Sequence, residues 1–226
     1  MHKVSLLLPF RDNAGEVPAA IRRVASLDFP PAQLRVICIE GDSVDDTWRL
    51  LTAWQAADNR VTLVKCTTGQ PHYGSIIHPG RFAVLAQVFN TGLDAVDLEW
   101  STHVLMLPSD IAYAPDLLQR LLAHDVDMVA PLVWLGDIFY DTWGFVHAGR
   151  HFTNFRRAEA DWRGEHTLLP MDSVGGVLLM RSEVLRAGCR YSPEDVDRGL
   201  CRAARGLGFR VWADPTTGVE HPIKRA

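Results

Sequence analysis

Residues 103–115 read HVLMLPSDIAYAP, and how this stretch is read decides the fold. Val104, Leu105, Met106 and Leu107 form an unbroken apolar run that stops at Pro108, Ser109 and Asp110. An apolar run of that length closed by turn residues predicts a strand buried on both faces. Asp110 then stands at the carboxyl end of the strand, the edge at which open α/β sheets bind ligands. Ser, Asp and Pro serve a plain turn or a helix cap equally well, so the flanking segments must decide what Asp110 does.

Working outward, the pattern alternates. Residues 4–9, 35–40 and 61–66 predict strands, and the spacing of Val17, Ala20, Ile21, Val24 and Leu27 predicts a helix over 16–27. Residues 45–57 and 81–95 predict two more helices, the second after a Gly- and Pro-containing loop at 67–80. A helix at 116–123 and a strand at 127–133 follow the opening stretch. Strand and helix alternating in this way predict an α/β fold with a mostly parallel sheet flanked by helices. Residues 134–170 lose this period and predict a long functional loop region with a hairpin. The chain then predicts an apolar segment at 174–181, a short helix at 182–187, an amphipathic helix at 193–207, a last strand at 209–214 and a tail.

The 226 residues carry a formal net charge of -4, with 47% hydrophobic and 22% charged residues. This is globular composition, and no global charge directs the chain to nucleic acid or membrane. The absence of repeats and linkers predicts a single domain over 1–226. Cys38, Cys66, Cys189 and Cys201 form no CxxC pair, which predicts reduced thiols and neither a disulfide framework nor a zinc site. The apolar part of MHKVSLLLPF is too short for a signal peptide, and no window of ~18 apolar residues exists. The expectation is a soluble, cytoplasmic protein.

Several residues can carry chemistry. Pro9, Arg11 and Asn13 follow the first predicted strand, and Glu40 and Asp42 follow the second, on the same sheet edge. A carboxylate there can accept hydrogen bonds from a ribose or a base imide. EGDSVDD also reads as a solvated turn, with Ser43 and Asp46 as a capping box, and no GxGxxG follows the first strand. Glu194 and Asp195, after Ser192 and Pro193, suit the first turn of a helix. Asp172 precedes Gly175 and Gly176, a glycine pair that lets backbone approach a ligand or simply packs a strand. Tyr140, Asp141, Thr142 and Trp143 offer a ring to stack on a sugar and a carboxylate for its hydroxyls, and Trp143 serves equally as core. Residues 147–166 mix Arg and His with Phe152, Phe155 and Trp162, a composition suited to a lid over a donor or to a nucleic-acid contact.

Taken in order, VSLLLPFRDN, RVICIEGDSVDDT, GRFAVLAQVFNTGL and VLMLPSDIAYAPDLL resemble the glycosyltransferases of the GT-A fold. FYDTWGF and MDSVGGVLLMRSEVLRAG are similar to the fungal mannosyltransferases of the Anp1/Mnn9 and cryptococcal capsule types, and SPEDVDRGLCRAARGLGFRVWADPTTGVEH resembles the family's acceptor-side helix and closing strand. The resemblance implies a nucleotide-sugar-binding half at 1–133 and an acceptor half at 134–226. It implies that Pro9, Arg11, Asn13, Glu40 and Asp42 hold the nucleoside, that Arg81 faces the diphosphate, and that Asp141, Trp143, Gly175 and Gly176 line the sugar site. Asp195 would be the base that takes the acceptor's proton, with Glu194 second and Asp172 a third acidic candidate. The family's DxD triplet reads Pro108-Ser109-Asp110 here, so one protein carboxylate is expected at the diphosphate. Departure of a nucleoside diphosphate calls for a divalent cation, Mn²⁺ or Mg²⁺, held by Asp110 and His221; an imidazole ligand favours Mn²⁺.

The expected function is hexose transfer from GDP-mannose, or secondly a UDP-sugar, to an acceptor hydroxyl on a glycan, lipid-linked or nucleic-acid molecule. Alternatives are a transferase acting on hydroxylated bases in phage-type DNA, a catalytically degenerate sugar-nucleotide-binding protein of the same fold, and a nucleotidyltransferase. PFRDNAGE lacks the glycine-rich basic loop that the last of these uses.

Overall fold

The computed structural model describes residues 1–73, 78–159 and 168–222. β1 (Val4–Phe10) leads to α1 (Val17–Ala25), β2 (Leu34–Glu40) to α2 (Thr47–Ala57), and β3 (Val61–Lys65) to α3 (Pro79–Asp94). The opening stretch supplies β4 (His103–Met106), followed by α4 (Leu117–Ala123) and β5 (Met128–Leu135). The second half contains β6 (Ile138–Phe139), β7 (Val146–His147), β8 (Arg150–His151), β9 (Leu169–Met171), β10 (Leu178–Arg181), α5 (Ser182–Arg186), α6 (Asp197–Gly206) and β11 (Val211–Glu220).

Among the described residues, nine strands form one sheet in the order β3-β2-β1-β4-β10-β5-β11-β9, with β6 paired to β5. β3, β2, β1 and β4 are parallel, as are β5 and β11, while β10 runs antiparallel between β4 and β5. The predicted mostly parallel α/β sheet is therefore the one observed. Val104 and Met106 pack into the core cluster that holds α3 and α6 residues, and Leu105 and Leu107 into the cluster that holds α1, α2 and α4 residues. The period-2 alternation of a strand thus places an apolar side chain on each face, and all four are at most 1% exposed. Burial of each such side chain contributes about 1.5–3 kcal/mol.

Three elements differ from the sequence pattern. β11 continues through Pro215 to Glu220 because its register on β5 jumps from Asp214↔Pro131 to Gly218↔Leu132. That bulge accommodates a proline, which cannot donate to the ladder. The predicted tail therefore belongs largely to the sheet; its residues 223–226 lie outside the described residues. α6 starts at Asp197 rather than near 193, since Ser192 and Val196 exchange backbone hydrogen bonds and close a turn first. Within the predicted loop 134–170, the rings of Phe139, Phe145, Phe152 and Phe155 pack on one another at 4.9–6.1 Å, so part of the expected lid is core. Residues 160–167 of that lid, Trp162 among them, lie outside the described residues. All four cysteines are buried free thiols. No helix among the described residues is long and apolar enough to cross a membrane.

Candidate active site

The carboxyl ends of β1, β2, β4 and β5 line up along one sheet edge and open into a cleft of about 400 Å³. That volume suits a ligand of nucleotide size. Loops are cross-tied to shape it. Asp12 N donates to Ser43 Oγ (3.0 Å), Asn13 N to Thr47 Oγ1 (2.9 Å), Ala14 N to Asp45 Oδ2 (3.0 Å) and Val44 N to Asp12 Oδ1 (2.7 Å). These bonds fuse the turns after β1 and β2 into one wall. Asn13 Nδ2 donates to Ser109 Oγ (3.0 Å) and Arg23 to Ser109 O (2.7 Å), which fixes the turn carrying Asp110 against that wall.

The far side is brought in by β11. Ala112 and Glu220 exchange backbone hydrogen bonds of 2.8 and 2.9 Å, and His221 N donates to Trp134 O at 2.7 Å. This places His221 beside the turn after β4, and both Asp110 and His221 line the cleft. His221 stacks on Tyr140 with ring centroids 4.2 Å apart. Its Nδ1 lies 3.0 Å from Pro222 O, and a carbonyl can only accept, so Nδ1 is the donor of that bond, and Nε2 has no hydrogen-bond partner among the described residues. Among the described residues no hydrogen-bond partner occupies the Asp110 carboxylate.

A second acidic centre lies across the cleft. Gly144 N donates to Asp141 Oδ1 at 3.1 Å, while Asp141 Oδ2 is buried with no hydrogen-bond partner. A Cβ added to Gly175 would stand 3.1 Å from Asp141 Oδ2 and 3.2 Å from Asp197 Oδ2, so both carboxylates converge on one point beside this glycine. Burial pushes the Asp141 carboxyl up to about 6. Burial, with the Asp141 charge beside it, pushes Asp197 up to about 8. Both residues line the cleft. Val196, immediately before Asp197, has φ 48°. A β-branched residue in that region is strained, and such strain marks positions that the surrounding structure over-determines.

Of the residues singled out from sequence, Pro9, Arg11, Asn13, Arg81, Asp110, Asp141, Gly176 and His221 line this cleft. Arg11 donates to Gln70 O at 2.7 Å, and its Nε is buried without a partner. Glu40 is 1% exposed and accepts from Ser43 N at 2.6 Å. Asp42 accepts from Thr68 Oγ1, Thr68 N and Gly69 N, and the Thr68 hydroxyl is the main reason its carboxyl sits below the usual range. Trp143 lies behind the cleft, stacked on Phe82 at 5.2 Å and covered by the Arg198 guanidinium at 4.9 Å. Asp195 pairs with Arg202 at 2.7 Å. Burial raises its carboxyl, but the bonds from Arg202 and Ser192 outweigh that and hold it below the usual range. Glu194 is exposed and bonded to Ser192. Asp172 accepts from Gly149 N at 2.6 Å and pairs with Arg205 at 2.8 Å. Asp197 is not among the residues singled out from sequence; the available signal is SPEDVD itself, in which two acids precede a helix and a third opens it.

Gly176 has φ 64°, and an added Cβ would lie 2.9 Å from Asp141 Oδ2. Gly176→Ala is expected to cost about 2 kcal/mol, from left-handed backbone strain and the displaced carboxylate. Gly188→Ala is the control, because its φ is 89° with nothing within 4 Å. Urea denaturation of both variants separates the terms; equal losses would mean that the approach to Asp141 contributes nothing.

No protein-family model matches the sequence, and no curated protein matches it. Solved structures do. The mannosyltransferase PcManGT from Pyrobaculum calidifontis, in complex with GDP-Man and Mn²⁺, superimposes with a TM-score of 0.65 at 16% identity over 99% of this chain and 58% of that one. TarS 1–349 from S. aureus, in complex with UDP-GlcNAc, gives 0.64 at 14% identity over 99% of this chain and 59% of that one. The same S. aureus fragment with UDP gives 0.58 at 12% identity, over 98% of this chain and 60% of that one. The chain thus spans less than two thirds of the length of each. Its mixed α/β sheet, with β10 reversed among parallel strands, has the GT-A-like fold of these nucleotide-sugar glycosyltransferases.

Proposed function

We propose that the chain transfers a hexose from a nucleotide sugar to an acceptor hydroxyl. One observation carries this reading: a single cleft on the carboxyl edge of the sheet holds Asp110, His221 and Arg81 together with the enclosed Asp197. In this reading the nucleoside lies against the wall built from Pro9, Arg11 and Asn13. Glu40 and Asp42 shape that wall from behind through their bonds to Ser43, Thr68 and Gly69. Arg81 faces the diphosphate. Asp141 and Gly176 border the sugar, with Gly175 and Trp143 shaping that wall from behind. Among the acids near 194–197, Asp197 alone lines the cleft, so it is assigned as the base in preference to Asp195 or Glu194. GDP-mannose and UDP-sugars are the donor classes proposed, in keeping with the ligands of the solved neighbours.

The donor set fits a divalent cation. Asp110 offers an oxygen and His221 offers Nε2, with Nδ1 already committed to a backbone carbonyl, the arrangement that orients a metal-ligating histidine. Among the described residues no cluster of three or more His, Cys, Asp or Glu side chains forms a closed cage. The two would therefore hold Mn²⁺ or Mg²⁺ together with the diphosphate, which supplies the remaining oxygens. When bound, the cation neutralises charge on the departing nucleoside diphosphate.

The test is thermal denaturation with GDP, UDP, ADP or CMP, each with and without Mn²⁺. A nucleotide at about 100 times its Kd adds about 2.7 kcal/mol, or about 5–10 °C for a chain of this size. One diphosphate is expected to give that rise, and only with Mn²⁺. No rise with any nucleotide, joined to no release of nucleoside diphosphate from any sugar donor, would sink the reading.

A further inference from the structure

Asp141 and Asp197 come from distant parts of the chain, and the structure goes to some length to bring their carboxyls together. Gly144 and Gly175 make the close approach feasible: a Cβ on Gly144 would lie 2.8 Å from Gly175 Cα, and one on Gly175 would crowd both carboxylates, at 3.1 and 3.2 Å. Asp141 is fixed by one bond to Oδ1, while Oδ2 is buried and unpaired. No cation is paired with either residue among the described residues. Two like charges so placed are costly, and ordinary packing does not explain them.

We propose that Asp141 makes Asp197 a strong base: its buried, uncompensated carboxylate repels charge on Asp197 and so favours the proton that Asp197 takes from the acceptor hydroxyl. The inference rests on the transferase reading above. In the step, the acceptor oxygen forms a bond to the anomeric carbon and the bond from that carbon to the phosphate oxygen breaks. The electron pair of the broken bond leaves with the nucleoside diphosphate, and the hydroxyl proton passes to Asp197. Asp141 does not touch the reacting atoms in this scheme. It is a positioning residue that acts through Asp197. The electrostatics agree in direction: burial raises the Asp141 carboxyl to about 6, and burial together with the Asp141 charge raises Asp197 to about 8. The other groups around the pair are Tyr191 and Asp195 from the turn before α6, Cys201 from α6, and Tyr140, itself influenced by Arg81 and Asp110.

The decisive variant is Asp141→Asn, which keeps an acceptor for Gly144 N and removes the charge. The rising limb of kcat against pH is expected to move down by about one pH unit or more, and the plateau to fall on the order of 10-fold, because a base of lower proton affinity is weaker. If Asp141 only holds the sugar, KM for the donor rises and the limb stays in place, which overturns the inference. Infrared titration of the carboxyl carbonyl bands reads the same coupling without any turnover, so it stands apart from failure of the transferase reading. Wild-type protein is expected to lose two carboxyl protons in separate steps near 6 and 8, the later one missing in Asp197→Asn. Should Asp141→Asn not fold, Asp141→Ser, which also removes the charge, takes its place: the step near 8 is expected to move down, and a step that stays in place rejects the coupling. A single step, or no carboxyl protonated above about 6, rejects the coupling.

Discussion

Asp197→Asn is expected to lower sugar transfer by about 10²–10⁴-fold, the usual worth of a positioned general base, while leaving donor binding in place. Asn fits the same space and cannot take a proton at neutral pH. The wild-type rate is expected to climb as pH rises through the window from about 6 to about 8, where the pair ionises. Stability should move the other way. The folded carboxyl of Asp197 holds its proton well above its ordinary value of 3.8, so the native state binds more protons than the unfolded chain between these limits. The stability it contributes is present at low pH and is lost as pH rises through about 8. The variant lacks that loss, and its midpoint is expected to exceed wild type at pH 8 on the order of 3 °C, with the gap closing toward acid. Asp195→Asn is the companion experiment. Asp195 is tied to Arg202, so its loss is expected to reduce stability modestly and spare activity. The reverse pattern, with Asp195→Asn inactive and Asp197→Asn active, would return the role of base to Asp195.

That companion experiment shows where sequence reading reached its limit. The 3.6-residue pattern of α6 is visible in the sequence, but its first residue is set by the Ser192–Val196 turn and by Val196 at φ 48°. No local preference favours that φ for a β-branched residue; only the assembled fold enforces it. Shifting the helix start to Asp197 gives the cleft a different acid from the one that periodicity and capping preferences suggest. Glu40 and Asp42 illustrate a related limit. Their place on the sheet edge follows from strand alternation, and the Glu40–Ser43 bond is local, whereas the Thr68 and Gly69 groups that engage Asp42 lie 26 and 27 residues away, a separation no local pattern reveals. The extent of β11 was hidden for a plainer reason: Pro215 reads as a strand breaker, and only pairing with β5 turns it into a bulge. By contrast, Val104–Leu107 carry their own answer. A run too short for a helix and apolar on both faces has few places to go except the centre of a parallel sheet, and the edge where Asp110 lies follows directly from that.

Asp110→Ala is expected to remove the Mn²⁺ dependence of nucleoside diphosphate binding and to lower transfer by about 10²–10³-fold, the scale of several kcal/mol for charge stabilisation at the leaving group. The size of the effect follows from how little else is available. Pro108 stands where a second carboxylate would be, so Asp110 is the one acidic oxygen in its triplet. Its partner, His221, is brought to the cleft by the Ala112–Glu220 bridge and oriented through Nδ1. The fold itself does not need the Asp110 carboxylate. The turn is held by Ile111 N to Pro108 O at 3.1 Å and by the bonds of Asn13 and Arg23 to Ser109. Unliganded stability is therefore expected to change by less than about 0.5 kcal/mol, which separates a lost ligand from a damaged site. His221→Ala should lower metal-dependent binding by about 10–100-fold. Because the two side chains would serve one ion, the double variant should be little worse than Asp110→Ala alone. Full additivity of the two losses, or unchanged Mn²⁺ dependence in Asp110→Ala, would mean that these residues do not share a cation and that the diphosphate is neutralised by Arg81 instead.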